Sequence, residues 1–171
     1  MATRLSGPAP SSAEPGLREA TDDDAWGLIA LITACWAEYP GCVVDIAGEF
    51  PELQAPGRHF REQNATLWVV PDGAWIGACV GLVPGNGDGK AELVKLYVAP
   101  HLRGRGLGAS LVRRVERAAA EGGCHEIELW SDTRFLPAHR LYHRLGYTRT
   151  GATRELHDLS RSVEYQFRKN L

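Results

Sequence analysis

The chain has 171 residues, a formal net charge of -2 and a hydrophobic fraction of 44%. This length and composition predict one soluble globular domain with its own core. The near-neutral charge provides no basic field, which disfavours nucleic-acid binding by counterion release. No apolar run approaches the roughly 20 residues of a membrane span, and no secretion-signal layout opens the chain, so we expect a cytoplasmic protein that binds no membrane.

The first half of the chain predicts a tail, a strand and two helices. Residues 1–15 are rich in Pro, Ser and Ala, so we expect a disordered tail ahead of a domain spanning 16–171. A short strand "LREA" precedes a helix capped by Thr21 or the next aspartate. That helix runs through "AWGLIALITACWAEY" and stops before Pro40. A second helix is expected near residues 51–63, where Pro and Gly interrupt the pattern.

The second half alternates strands and helices. "TLWVV" and "WIGACVGLVP" form a hairpin around an Asp-Gly turn, and "GNGDGK" leads to the strand "AELVKLYV". A helix from Gly106 carries apolar residues on one face and ends at Gly122. The strand "EIELWS", the helix "PAHRLYHRL" and a hairpin of "TRTGATREL" with "SVEYQFRK" follow. The predicted fold is mixed α/β, with helices flanking a largely antiparallel sheet.

Cysteine and histidine spacing predicts no metal site. The four cysteines are spread along the chain: Cys35, Cys42, Cys79 and Cys124. Without a close C-x-x-C pair they indicate neither a zinc site nor a disulfide framework, and we interpret them as buried small hydrophobes. His139 and His143 stand four apart on one helix, but no third ligand has convincing spacing. We expect both to face solvent or to be hydrogen-bonded.

A glycine-rich loop precedes the helix from Gly106. Gly104, Gly106 and Gly108 alternate along it, so backbone N–H groups can converge at the positive end of the helix dipole. Arg103 and Arg105 add donors that suit phosphate oxygens. The pattern indicates an anion cradle for a pyrophosphate-bearing ligand.

Two other interpretations of this loop stay open. It is compatible with a plain glycine-rich turn flanked by solvated arginines. Gly104, Gly106 and Ala109 also satisfy the G-x-G-x-x-A fingerprint of dinucleotide-binding domains. Against that fingerprint, "APHLR" separates the strand from the first glycine, and three antiparallel strands fit poorly with a parallel doubly wound sheet.

Two stretches together resemble a known family. "LYVAPHLRGRGLGASLV" resembles the acetyl-CoA signature of the GNAT acetyltransferases, Arg/Gln-x-x-Gly-x-Gly/Ala, on a strand-loop-helix. "AHRLYHRLGY" resembles the family's A-x-x-L-Y-x-x-x-G-F/Y helix, with Tyr142 at the tyrosine position and Tyr147 at the last. Both motifs occur in the family's order, separated by the strand "EIELW". The resemblance covers roughly residues 16 to 171 in element order.

The resemblance implies a GNAT-like acyl-CoA acyltransferase fold with acetyl-CoA as cosubstrate. In that fold the strand ending at Val98 and the strand "EIELWS" splay apart, and the pantetheine arm pairs with backbone in the gap. A backbone N–H there acts as oxyanion donor. The implied cofactor-binding residues are Leu96, Tyr97, Val98, Arg103, Gly104, Arg105, Gly106, Leu107, Gly108 and Ala109.

The same resemblance implies direct attack of a primary amine on the thioester in a ternary complex. Tyr142 occupies the position of the family's phenol, the general acid for the leaving thiolate. Glu92, eleven residues before Arg103, resembles the catalytic glutamate of some members and is the candidate base. Phe135 stands where many relatives carry an Asn that contacts the pantetheine, and Ser131 or Arg134 is a nearby substitute for that contact.

The acceptor is expected to be a small-molecule or peptide amine. In this fold the segment after the first helix forms one wall of the acceptor site, and acids and aromatics suit an amine cation. The candidates there are Trp36, Tyr39, Asp45, Glu49, Glu52 and Phe60. Family members often dimerise, so a homodimer is compatible with the sequence. A non-catalytic acyl-CoA sensor or partner module is the alternative, although it has no need of Tyr142 or Glu92.

Overall fold

The computed structural model describes residues 16–171, and the expected disordered tail, residues 1–15, lies outside them. In this part of the chain, seven strands form one sheet in the order β1-β2-β3-β4-β5-β7-β6. The strands are β1 (Arg18–Glu19), β2 (Thr66–Asp72), β3 (Trp75–Pro84), β4 (Lys90–Val98), β5 (Glu126–Asp132), β6 (Thr148–Glu155) and β7 (Val163–Asn170). The helices are α1 (Ala25–Trp36), α2 (Ile46–Glu49), α3 (Pro56–Glu62), α4 (Leu107–Glu121) and α5 (Leu136–Arg144).

The predicted mixed α/β fold is confirmed. All neighbouring strands pair antiparallel except β4 and β5, which run parallel because α4 carries the chain back between them. Both predicted hairpins form: β2 with β3, and β6 with β7. The last strand, β7, lies between β5 and β6, which leaves β6 at the sheet edge.

The predicted helix over residues 51–63 is wrong in detail. The structure divides it into a 3-10 turn, Pro51–Gln54, and the helix α3. Ala55 separates them with φ -146° and ψ 65°, because the residue before a proline is driven out of the helical region. The first helix also ends earlier than predicted, at Trp36, and a turn follows it.

Apolar side chains cover both faces of the sheet. One cluster, with Leu28 and Ile32 from α1, lies between the sheet and the helices α1 and α3. The other, with Leu111 and Val115 from α4 and Phe167 from β7, lies under α4 and α5. All four cysteines are free; two of them are buried and two are half-buried. The helices and strands of the site are therefore fixed by packing from both sides.

A bulge in β4 reverses which face its side chains point to. Lys95 has φ 54°, and the pairing with β3 shifts register beside it. Before the bulge, Leu93 belongs to the α4-side cluster; after it, Leu96 does, whereas an unbroken alternation would place Tyr97 there. Tyr97 instead packs against the α1-side cluster. This inversion decides which β4 side chains face the site.

The sheet splays at its centre. β4 and β5 pair only over Lys90–Glu92 and Glu126–Glu128, so both strands continue for several residues without pairing each other. The splay implied by the family resemblance is thereby confirmed. The gap leaves backbone groups on both strands available to a ligand. Among the helices of residues 16–171, none combines the length and apolar character needed to cross a membrane.

Candidate active site

Two cavities meet at the splay between β4 and β5. We call the first, of about 400 Å³, the loop cavity, because the glycine loop that precedes α4 forms one wall. We call the second, of about 440 Å³, the acidic cavity, because Glu49, Glu92 and Asp158 line it. The cavities share a wall, which consists of Trp36, Leu96, Tyr97, Phe135 and Ala138.

The backbone of the glycine loop is left-handed at two positions. Gly104 and Gly106 have φ 77° and 82°, in the left-handed region that glycine tolerates best. Gly106 is the N-cap residue of α4, and the first N–H groups of that helix have no intrahelical acceptor. They form the positive end of a 15-residue helix beside the loop cavity. This arrangement suits an anion.

The two loop arginines differ in their surroundings. The Arg103 guanidinium binds both Glu38 carboxylate oxygens at 2.8 Å and donates from Nε to the Val98 carbonyl oxygen, also at 2.8 Å. Arg103 therefore ties the loop to the turn after α1, and its charge is balanced. Arg105 is exposed and makes no bond to another of residues 16–171. Only Arg105 keeps all its donors for a ligand.

The other predicted cofactor-binding residues gather around the loop cavity. Leu96, Tyr97 and Val98 line it from β4, and the loop and the first turn of α4 line it from the other side. Gly108 lets α4 approach α5, since a Cβ there would lie 3.3 Å from Cδ2 of Leu141. Arg105 lies outside the lining.

The acidic cavity carries more free negative than free positive charge. Its basic side chains are neutralised: Lys95 Nζ lies 2.7 Å from Glu52, and Arg154 pairs with Glu164. Glu92, Glu49 and Asp158, by contrast, form no ion pair with any of residues 16–171. The cavity therefore favours a cation.

Burial perturbs two of these carboxyl groups. Desolvation raises the pKa of Glu92, nearby Glu128 and Glu164 raise it further, and Arg154 opposes them. Desolvation also raises the pKa of Glu49, reinforced by Asp158. Oε1 of Glu49 and Oδ2 of Asp158 are buried without a hydrogen-bond partner among the described residues. Carboxyl groups in such surroundings are suited to accept a proton or to bind a cation.

Tyr142 projects from α5 into the acidic cavity. Its ring packs against Tyr147 and Phe167, with centroids 5.8 and 5.6 Å away. No hydrogen bond joins its hydroxyl to another residue of 16–171. Desolvation raises its pKa above the usual tyrosine value, so the phenol keeps its proton at neutral pH. The group is therefore available as a donor on the cavity side.

Phe135, which stands where the resemblance implies an Asn in many relatives, lies in the shared wall. Its ring packs on Tyr39 at 4.7 Å and on Trp36 at 6.1 Å between centroids. Of the proposed substitutes, Arg134 is engaged with Asp132 and Ser162, while Ser131 is buried and lines the acidic cavity. The wall at this position is thus aromatic, where the resemblance implies a polar contact.

The predicted acceptor residues separate in the structure. Trp36 lines both cavities and Tyr39 lines only the loop cavity. Asp45 caps α2 by accepting from the Gly48 N–H at 3.0 Å, and Glu52 is bonded to Lys95, so neither lines either cavity. Of the two further candidates, Glu49 lines the acidic cavity, whereas Phe60 is buried in the core.

Sequence reasoning missed one wall of the acidic cavity. It comes from β6, β7 and the segment between them: Arg154, Leu156, His157, Asp158, Ser162 and Glu164. Ser160 of this segment binds both the N–H and the carbonyl oxygen of Val43, at 2.8 and 3.0 Å, and so joins it to the loop before α2. Only the position of β7 beside β5 reveals this contact, and local sequence patterns do not predict it.

The two helix histidines lie in different surroundings. His139 is buried, its ring lies tilted against that of Phe167 with centroids 5.2 Å apart, and its Nε2 has no partner among residues 16–171. Burial lowers its pKa. His143 is exposed. In the described part of the chain, no group of three or more His, Cys, Asp or Glu residues is placed to hold a metal ion.

The fold is that of solved acetyltransferases. A GNAT acetyltransferase from Staphylococcus aureus Mu50 superposes with a TM-score of 0.77 at 18% identity, covering 91% of this chain and 98% of its own. The Salmonella typhimurium protein yncA, solved with its cofactor acetyl-CoA, gives a TM-score of 0.70 at 18% identity, covering 93% and 95%. The class is therefore the acetyltransferase fold, with its sheet opened at the centre.

The family follows from the sequence match. The model of the acetyltransferase (GNAT) family matches residues 28–147, and the chain belongs to this family. An N-acetyltransferase of Schizosaccharomyces pombe is 34% identical over 101 residues, 58% of this chain and 61% of that protein. A mycothiol acetyltransferase of Arthrobacter sp. is 37% identical over 138 residues, 77% of this chain and 41% of that protein. The chain thus spans about half the length of these relatives.

Proposed function

We propose that the protein is an acetyl-CoA-dependent N-acetyltransferase that acts on a primary amine by direct attack in a ternary complex. The observation that carries this proposal is the meeting of the two cavities at the splay. One side offers a glycine loop and a helix N-terminus for a pyrophosphate. The other offers unpaired carboxyl groups for an amine. Beyond the splay, the facing edges of β4 and β5 do not pair with each other and are suited to an extended pantetheine arm.

On the cofactor side, the chain supplies charge and shape. The N–H groups at the start of α4 and the free Arg105 guanidinium bind the phosphate oxygens. Leu96, Val98 and Phe135 shield the thioester region from water. Acetyl-CoA supplies the activated acetyl group, and a backbone N–H of β4 beyond the bulge stabilises the oxyanion.

The proton transfers are assigned to Glu92 and Tyr142. The incoming ammonium loses a proton to Glu92, directly or through water, and the neutral nitrogen attacks the thioester carbon. The nitrogen is positively charged in the tetrahedral intermediate that results. When the carbon–sulfur bond breaks, the electron pair stays on sulfur and the Tyr142 hydroxyl gives it a proton, and the second proton that leaves nitrogen as the amide forms returns through water to the Tyr142 oxygen. The raised pKa of Glu92 improves the match between this base and an amine.

The acceptor is proposed to be a small-molecule or peptide amine that arrives as a cation. Glu49, Glu92 and Asp158 attract its charge, and Trp36 supplies an aromatic face. Residues 16–171 constitute the catalytic domain in this proposal. The cytoplasmic location and the homodimer stay predictions.

The test is CoA release from acetyl-CoA in the presence of a panel of primary amines. The proposal expects amine-dependent release that Glu92→Gln and Tyr142→Phe both reduce. A protein that binds acetyl-CoA but releases no CoA with any amine would instead be the non-catalytic acyl-CoA module. Unchanged CoA release in both variants would exclude Glu92 and Tyr142 as the proton carriers.

A further inference from the structure

The wall between the two cavities contains one side-chain hydroxyl. Its five residues contact both cavities, and Leu96, Phe135 and Ala138 among them have no polar side-chain atom. The remaining two are Trp36 and Tyr97. In the proposed reaction, the thioester carbon is held from the loop cavity and attacked from the acidic cavity. The reacting carbonyl therefore lies against this wall.

Trp36 determines the direction in which the Tyr97 hydroxyl donates. Nε1 of Trp36 donates to the Tyr97 hydroxyl oxygen at 3.1 Å. Because an indole nitrogen is only a donor, this bond occupies a lone pair of the oxygen and leaves its proton unused. No acceptor for that proton is present among residues 16–171. The free O–H is available to the space where the two cavities meet.

The β4 bulge brings Tyr97 into this position. Without the left-handed Lys95, the alternation of β4 would place Tyr97 on the α4 side, away from Trp36. The Cys79 thiol donates to the Lys95 carbonyl oxygen at 3.1 Å and so holds the bulge. Burial raises the pKa of the Cys79 thiol to about 12, so it stays a donor at neutral pH.

We infer that Tyr97 is a further catalytic residue: its hydroxyl donates a hydrogen bond to the thioester carbonyl oxygen as that oxygen becomes an oxyanion. This role rests on the proposed function. The amine nitrogen forms a bond to the carbonyl carbon, and the carbonyl π electrons move to oxygen, where the Tyr97 O–H stabilises them. When the carbonyl re-forms, the carbon–sulfur pair leaves with CoA. Tyr97 keeps its proton throughout.

This assignment separates the two tyrosines of the site. Tyr142 lines only the acidic cavity and is proposed to give a proton to sulfur, whereas Tyr97 lines both cavities and only donates a hydrogen bond. Burial raises the pKa of Tyr97, which is consistent with a group that stays protonated. The two roles therefore differ in their pH dependence.

The experiment compares Tyr97→Phe with Tyr165→Phe in the full chain. Tyr97→Phe keeps the ring and removes the hydroxyl from the shared wall, so kcat falls by roughly 10²-fold, as for the loss of one oxyanion donor. The dissociation constant of acetyl-CoA changes by less than about threefold. The pH dependence of kcat keeps its shape because no proton transfer is lost. Tyr165→Phe removes the same hydroxyl from a ring that lines neither cavity, and kcat is unchanged.

Three results would overturn the inference. A Tyr97→Phe enzyme with kcat within about twofold of wild type excludes a hydrogen bond made in the transition state. Weaker acetyl-CoA binding with an unchanged kcat would show that Tyr97 contributes to cofactor binding and not to the transition state. A wild-type protein that binds acetyl-CoA without amine-dependent CoA release contradicts the proposed function itself and this role with it. Circular dichroism and thermal unfolding of both variants verify that each is folded.

Discussion

Replacing Gly106 by Ala tests the anion cradle at a single backbone position. Gly106 has φ 82° and ψ -2°, where an L-residue costs about 1–2 kcal/mol relative to its preferred conformations. No heavy atom lies within 4 Å of the position its Cβ would take, so the change adds strain without a clash. The residue is also exposed, so little packing holds the strained conformation when no ligand is bound.

The cost should therefore appear when the ligand binds. The loop of Gly106→Ala relaxes in the free protein and has to return to the left-handed conformation to bind phosphate oxygens. This conformational cost of about 1–2 kcal/mol is then subtracted from the binding free energy, so acetyl-CoA binds about 5- to 30-fold more weakly. Isothermal titration measures this change directly, and thermal unfolding without ligand should show little difference from wild type.

Gly123→Ala is the matched control. Gly123 follows the other end of α4 with the same φ of 82°, and its Cβ position is equally open. Any general effect of left-handed strain next to α4 is common to both variants, but Gly123 lines neither cavity. We expect its acetyl-CoA affinity to match that of wild type. Equal affinity in Gly106→Ala and Gly123→Ala would refute the role of the loop backbone in binding the cofactor.

Three further changes test the remaining roles. Tyr142→Phe keeps the ring packing and should lower kcat by roughly 10²-fold or more with little change in acetyl-CoA affinity; a wild-type kcat would contradict the acid assignment. Wild-type kcat/KM should rise with pH through the raised pKa of Glu92, because only the carboxylate accepts a proton, and Glu92→Gln should lose this limb. An identical profile in the variant would exclude Glu92 as the base. Glu52→Gln leaves the Lys95 cation unpaired and should lower the free energy of unfolding by about 2 kcal/mol in urea denaturation. Adding Lys95→Met to this variant should restore part of the lost free energy of unfolding. A double variant no more stable than Glu52→Gln would contradict the pairing.

The glycine loop and the α5 motif could be predicted because their signals are local. Closely spaced glycines before a helix favour a left-handed backbone that brings N–H groups together. The residues of the α5 motif recur at the spacing of helical turns, so they indicate a helix directly. Strand order could be predicted in part, since hairpin partners are neighbours in the sequence. The insertion of β7 between β5 and β6 is visible only in the structure, because β5 and β7 are distant in the sequence.

The bulge at Lys95 and the contents of the acidic cavity could not be predicted in this way. A lysine gives no sequence signal for a positive φ, so the facing of Tyr97 and its bond to Trp36 stayed hidden. Glu52 and Asp158 are both acids outside the main helices and strands. Glu52 is neutralised by Lys95, whereas Asp158 lines the cavity without an ion-pair partner in the described chain. Three-dimensional neighbours, and not residue type, decide which carboxylate is free to meet a substrate.

The phenylalanine at position 135 illustrates the limit of motif comparison. The sequence shows that a polar residue is missing, and the structure shows that the ring joins Trp36 and Tyr39 in one aromatic cluster between the two cavities. The cluster is suited to exclude water from a thioester, which a single polar contact would not do. The polar contact that the resemblance implies is absent from the sequence, and the structure shows aromatic packing at the same position.

Isothermal titration of the purified protein with acetyl-CoA, in parallel with CoA and NAD, tests the central claim most directly. We predict that both CoA species bind one site per chain and that NAD gives no heat of binding, because the loop belongs to a splayed, largely antiparallel sheet and not to a parallel dinucleotide fold. Binding of NAD without CoA, or no binding of either CoA species, would contradict it.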